Sequence, residues 1–168
     1  ETNNFLMIVL ILLVVAVGGI VEIVPLFFQR STTQPVPGLK PLDAMQLAGR
    51  DVYVREGCYN CHSQMVRPFL DETVRYGQNG QPAEYSRPGE FVYDHPFQWG
   101  SKRTGPDLAH EGGKYPHLWH YTHLLDPRAV STGSNMPSFR WLADRTVDTR
   151  STGKKLGLMQ KLGVARPR

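Results

Sequence analysis

The chain has 168 residues, 40% of them hydrophobic and 20% charged, with a formal net charge of +4 and two cysteines. That length suits one domain of about 140 residues beside an apolar N-terminus, large enough for a modest core. The basic excess is small, and no Lys/Arg block or aromatic-interleaved basic patch accompanies it, which excludes nucleic acid as a partner.

Taken in chain order, Phe5 to Val21 is an unbroken apolar run that continues past Glu22 to Phe28. Its 24 positions at ~1.5 Å each reach ~36 Å, enough to cross a ~30 Å hydrocarbon core. A cleaved signal peptide would have a shorter apolar region and a small-residue cleavage site, whereas Glu22, Pro25, Phe27 and Phe28 follow here, so the run is an uncleaved anchor. Glu22 is costly in such a span, which makes it a functional candidate unless it lies at the outer interface. Arg30 and Lys40 follow the span, and a naive positive-inside reading puts the C-terminal domain in the cytoplasm; long domains, however, translocate largely regardless of charge.

Residues 31–41 hold three prolines and form a stiff, extended linker. Leu42 to Arg55 is expected to be a helix, with Pro41 or Leu42 in its first turn and Asp43 near its positive end. Gly49 and Tyr53, four apart, place a flat spot and an aromatic on one face, where a second helix could cross.

Gly57-Cys58-Tyr59-Asn60-Cys61-His62-Ser63 follows. Cys-x-x-Cys-His is the attachment signature of a c-type haem: two thiols form thioethers with the porphyrin, and the adjacent imidazole is the proximal iron ligand. A thioredoxin-like redox pair needs a preceding strand that is absent, and a structural zinc site needs four ligands in a spacing the remaining histidines do not offer. A disulfide across so short a loop would stabilise little. Cys58 and Cys61 are therefore the thioether residues, His62 an axial ligand, and the cofactor one covalent haem c. Covalent haem is attached outside the cytoplasmic membrane, so the domain faces the periplasm or its equivalent.

From Gln64 to about residue 103 the chain is long, irregular and rich in Pro, Gly, Arg and Tyr, a pattern of functional or partner-binding loops. Arg67, Arg75, Arg87 and Arg103 are candidates for propionate or partner contacts, against solvated surface as the bland fate. Gly105 to Leu108 is a turn, and Tyr115 to Leu125 a helix stopped by Asp126-Pro127. His117, His120 and His123 recur every third residue, a spacing that drifts around the cylinder and suits exposed histidines better than a metal patch. Beyond Thr149, Leu156, Met159 and Leu162 share one face of a final amphipathic helix, expected to cross the Gly49 face.

For the second axial ligand, Met7 lies in the anchor, Met65 is too close to His62, and Met45 and Met159 sit in helices where methionine is commonly core. Met136, in the Pro-containing loop 131–138, is the candidate sixth ligand, and His/Met ligation raises the reduction potential. The alternative is bis-His ligation through His95, His110, His117, His120 or His123.

Gly18 to Pro25, Gly57 to Phe69, Arg103 to Leu108 and Asn135 to Phe139 together resemble the membrane-anchored mono-haem subunit (subunit II) of cbb3-type cytochrome c oxidases, over about residues 5–163. The resemblance implies a mainly α chain: a single N-terminal transmembrane helix (1–30), the linker (31–41) and a class I cytochrome c-like domain (42–168) with a long irregular insertion. It implies docking to a catalytic haem-copper subunit, electron receipt from a di-haem cytochrome c subunit and transfer to haem b. It implies a single-pass protein of the bacterial inner membrane with its haem domain periplasmic, contacting lipid and its partner subunits. The same carry-over makes Cys58 and Cys61 the thioether residues and His62 and Met136 the axial pair. The ending at residues 162–168 is shorter than the family's usual tail. With both axial positions filled the chain does no bond chemistry; it is an electron relay inside an enzyme. The competing classes are the cytochrome c subunit of a nitric oxide reductase, a free membrane-tethered carrier, and a haem enzyme or gas sensor with the Met136 side vacant.

Overall fold

A computed structural model describes residues 3–77 and 79–164. The described residues are mainly helical with no β-strand, as expected, and they divide into two units. One comprises Glu1–Leu39 with Arg87–Val92, the other Lys40–Ser86 with Tyr93–Arg168.

In the first unit, helix α1 spans Asn4–Glu22, its first turn capped by the Asn3 side chain accepting from the Leu6 N–H at 3.1 Å. Pro25 has no N–H to offer the carbonyl four residues back, and the helix passes into a 3₁₀ turn over Val24–Phe27. Together they form a 24-residue apolar helix, Asn4–Phe27, long enough to cross a membrane as a single-pass anchor, with none of its most apolar window buried in protein. Part of the expected extended linker is instead a single helical turn, α2, Arg30–Thr33, with the Thr32 and Thr33 hydroxyls donating to the Gln29 carbonyl. Residues 87–92 belong with this unit because Gly89 lies flat against residues 34–36: its carbonyl accepts from Val36, and a β-carbon there would meet the Gln34 carbonyl at 2.7 Å.

The second unit begins with α3, Ala44–Arg55. It starts two residues later than the sequence reading, because Asp43 is the cap itself: Asp43 accepts from the Gln46 N–H while the Gln46 side chain accepts from the Asp43 N–H. The long irregular stretch contains α4, Leu70–Arg75, and a 3₁₀ turn at Pro88–Glu90. Helix α5, His117–Leu125, and the short α6, Pro127–Val130, meet at Asp126, and a last helix, α7, covers Thr152–Lys161. Helix α7 packs on α3 as expected and is tied to it by a Lys155–Asp51 ion pair. It does not close over Gly49, where a β-carbon would meet no atom within 4 Å; Gly49 lines a cavity instead. Met45, expected in the core, is 67% exposed.

Among the described residues of this unit the buried apolar ones are few, Leu47, Ala48, Val66, Tyr76 and Pro127. The remaining inward-facing residues surround a cavity of about 650 Å³, within the size range of cofactor sites. The interior is built around a space.

Candidate functional site

The cavity is bounded first by the turn that ends α3. Gly57 takes the left-handed conformation (φ 73°) that terminates helices most easily on glycine, and a β-carbon there would also press on Asn60 Nδ2 at 3.0 Å. The Cys61 and His62 N–H groups both donate to the Cys58 carbonyl, at 3.1 and 2.9 Å. Cys58, Cys61 and His62 are thereby held in one tight turn, and all three line the cavity. No disulfide joins the two cysteines. Burial pushes the Cys58 thiol up, with the negative Glu56 nearby adding to it, the reverse of the shift that activates a thiol for disulfide exchange.

His62 is clamped from two sides. Its Nδ1 lies 2.7 Å from the Pro106 carbonyl, which can only accept, so Nδ1 carries the proton and Nε2 keeps its lone pair for a metal. The backbone of 104–108 is strapped to the turn by Gly105 N–H donating to the Cys61 carbonyl and Leu108 N–H to the Ser63 carbonyl, each at 2.9 Å. Gly105 is there because the imidazole is: a β-carbon would stand 2.3 Å from His62 Cε1. Tyr53 adds a third restraint, donating its hydroxyl to the His62 carbonyl at 2.6 Å. Burial, with Cys58 and Asp107 nearby, pushes its pKa up to about 12, so the donor stays protonated. Gly105→Ala is expected to displace the ring and destabilise the domain by ~1–3 kcal/mol. Chemical denaturation and the optical spectrum of the haem-loaded chain check this; a spectrum and midpoint like the parent's would contradict it.

Behind the clamp lies a buried polar network. Asp107, 1% exposed, accepts from Met65 N–H at 3.0 Å and Ala109 N–H at 2.8 Å and faces Arg103 at 3.6 Å. Glu72 is also buried; it accepts from the Arg67 N–H and guanidinium and lies 3.5 Å from Arg103, which in turn donates to the Met65 carbonyl. Arg67 and Arg103, offered by the sequence as surface or propionate contacts, are thus committed to holding the segment after His62. Arg75 is the arginine of that group that lines the cavity. Burial alone would raise the Glu72 pKa, but the Arg67 hydrogen bonds and the Arg103 charge outweigh it and hold the carboxyl below its ordinary value. The stability this contributes is complete above the unfolded-state glutamate pKa, near 4.3, and is lost as pH falls through the lower folded value. Glu72→Gln should flatten that acid limb in a stability-versus-pH series; an unchanged limb would remove Glu72 from the account.

The rest of the lining comes from α5 and the loop after α6. That loop is pinned to the end of α5 by Phe139 N–H donating to the Leu124 carbonyl at 2.8 Å and the Ser138 hydroxyl to the Leu125 carbonyl at 2.6 Å. Met136, its N–H donating to Ser134 Oγ, is half-buried and lines the same cavity as Cys58, Cys61 and His62. The ring of Tyr115, just before α5, stacks in series with those of Trp119 and His123 on it, 4.2 and 4.7 Å apart. His117 is exposed as expected, but His120 and His123 are half-buried and line the cavity, because α5 turns its Trp119 face inward. Burial, with His62 and His120 nearby, lowers the His123 pKa. His95 and His110 lie outside the lining.

The residues present fit a haem: two thiols and an imidazole with a free Nε2 on one turn, a thioether on a second segment, and an apolar space between. Among the described residues no group of three His, Cys, Asp or Glu side chains could hold a bare metal ion. The sequence missed Tyr53, Gly105, Pro106 and Asp107 as parts of the site; the Gly-Pro-Asp turn was the available signal, but its partner 44 residues away was not.

No curated protein matches the chain. The family model that matches, over residues 1–167, is described as cytochrome c oxidase, mono-heme subunit/FixO.

Proposed function

The chain belongs to the mono-haem (FixO) subunit family of cytochrome c oxidases, and from that premise we propose that it relays electrons through one covalently bound haem c to the catalytic haem-copper subunit of a cbb3-type oxidase. Electrons arrive from a di-haem cytochrome c subunit and pass to haem b during oxygen reduction. Residues 1–30 are the anchor, 31–41 the linker and 42–168 the class I cytochrome c domain. The chain crosses the bacterial inner membrane once, with the haem domain periplasmic, where covalent attachment takes place.

The observation that carries this reading is the convergence of Cys58, Cys61, His62 and Met136 on one cavity of about 650 Å³, with the His62 Nδ1 proton already committed to Pro106. The bound haem supplies a one-electron iron couple. Cys58 and Cys61 would tether it through thioethers, and His62 would ligate through Nε2, its basicity raised by the Pro106 bond. Met136 would be the second iron ligand, a choice that favours the reduced state. Tyr53 and Gly105 hold His62 in place, and Asp107 fixes the backbone of Met65 behind it. Glu22 ends α1 as a carboxylate inside an otherwise apolar span, a position that favours contact with a partner helix. Glu22→Gln should weaken retention of the chain during detergent purification of the complex; unchanged assembly and turnover would exclude that contact.

Gentle solubilisation, purification of whatever travels with the chain, and assay of copper, non-haem iron and haem b beside oxygen uptake test the proposal. Copper and haem b with oxygen consumption are expected. Non-haem iron with nitric oxide turnover, or recovery of the chain alone in several mild detergents, would overturn it.

A further inference from the structure

The chain's positive charge is concentrated at one end: from residue 140 to residue 168 there are eight Lys or Arg and two Asp or Glu. Within that stretch α7 has two distinct faces. Thr152 is buried, Leu156 and Met159 are half-buried, and Lys155 is paired with Asp51 of α3, which fixes the helix's rotation about its axis. The other face carries Lys154, Leu158, Lys161 and Leu162, all exposed, with Leu158 at 57% and Leu162 at 68%. Leu158 and Leu162 are one turn apart and the lysines flank them.

Exposed leucines occur elsewhere in this unit, Leu70 and Leu118 among them, but those of the outer α7 face are flanked by lysines. The surface that satisfies both residue types is anionic at the outside and apolar just beneath, as in a bilayer containing acidic phospholipid. An acidic protein face would satisfy the lysines but offers the leucines nothing unless an apolar patch stands in register. On the proposed reading of the N-terminal helix as an anchor, encounter between α7 and lipid is intramolecular, so a weak contact becomes well populated. We propose that the outer face of α7 is a lipid-binding surface that lays its leucines into the headgroup region of an anionic bilayer, a second membrane contact in addition to the anchor.

The test uses the full haem-loaded chain reconstituted in nanodiscs of phosphatidylcholine alone or with phosphatidylglycerol, read by amide hydrogen exchange of α7. Exchange across residues 155–162 should slow by about tenfold or more in the anionic discs relative to the zwitterionic ones, while α3 amides stay unchanged as the control for folding. Lys154→Glu with Lys161→Glu should abolish the difference, and so should Leu158→Ser with Leu162→Ser, neither pair touching the α3-facing side. Equal exchange in both lipids would overturn the proposal. So would protection that appears only when a catalytic subunit is present, which would make the face a protein interface. Neither outcome bears on haem ligation, so the electron-relay reading is tested separately.

Discussion

Cys58→Ala together with Cys61→Ala is expected to give a chain that no longer carries haem through denaturing electrophoresis, whereas the parent retains it. The two thiols sit on one turn whose N–H groups converge on the Cys58 carbonyl, so both face the same side of the cavity, and no other cysteine exists to replace them. The consequence extends to stability. Leu47, Ala48, Val66, Tyr76 and Pro127 are the buried apolar residues among those described in this unit, too few to sustain a cavity of about 650 Å³ without a bound group. A group that binds only the folded chain stabilises it by mass action, and covalent attachment makes that contribution permanent. The double variant should therefore also lose its cooperative thermal transition and accumulate poorly. Haem that stays with the denatured double variant would contradict the attachment outright.

Met136→Leu is the second large effect. Leucine keeps the volume and the apolar character, so the loop pinned by Ser138 and Phe139 should hold its path while the sulfur is lost. The methionine-to-iron charge-transfer band should vanish, and carbon monoxide should bind the reduced form, which the parent resists. The reduction potential should fall by on the order of hundreds of millivolts, a sizeable part of the ~0.8 V range that axial ligation spans. The cavity contains two histidines that could compete, His120 and His123. If either were the ligand, Met136→Leu would leave the spectrum intact and the corresponding His→Ala would change it.

The sequence carried the Cys58–His62 turn whole, because Cys-x-x-Cys-His is a local motif whose geometry needs no distant partner. The apolar N-terminal helix was equally plain, since Glu22 is the one charged residue from Phe5 to Phe28. The start of α3 was misjudged by two residues although the signal was present: Asp43 with Gln46 three residues on is a capping box. What the sequence could not give were contacts spanning tens of residues. The pairing of His62 with Pro106, of Arg103 with Glu72, and of residues 87–92 with the N-terminal unit are set by how the chain returns on itself. The α5 histidines illustrate the same limit. Their spacing of three gives no preferred face, and only the packing of Trp119 toward the cavity turns His120 and His123 inward and leaves His117 outside.

The central claim is that this chain's haem is a six-coordinate relay within oxygen-reducing turnover. The most direct measurement is a single-turnover flow experiment on the purified complex: the fully reduced enzyme is mixed with oxygen and the haem c absorbance is followed with that of haem b. The account predicts that haem c bound to Cys58 and Cys61 is oxidised within one turnover, following haem b, and that Met136→Leu alters this phase while leaving the first reaction of oxygen at the catalytic subunit unchanged. A haem c that stays reduced through turnover, or that itself binds oxygen, would contradict it.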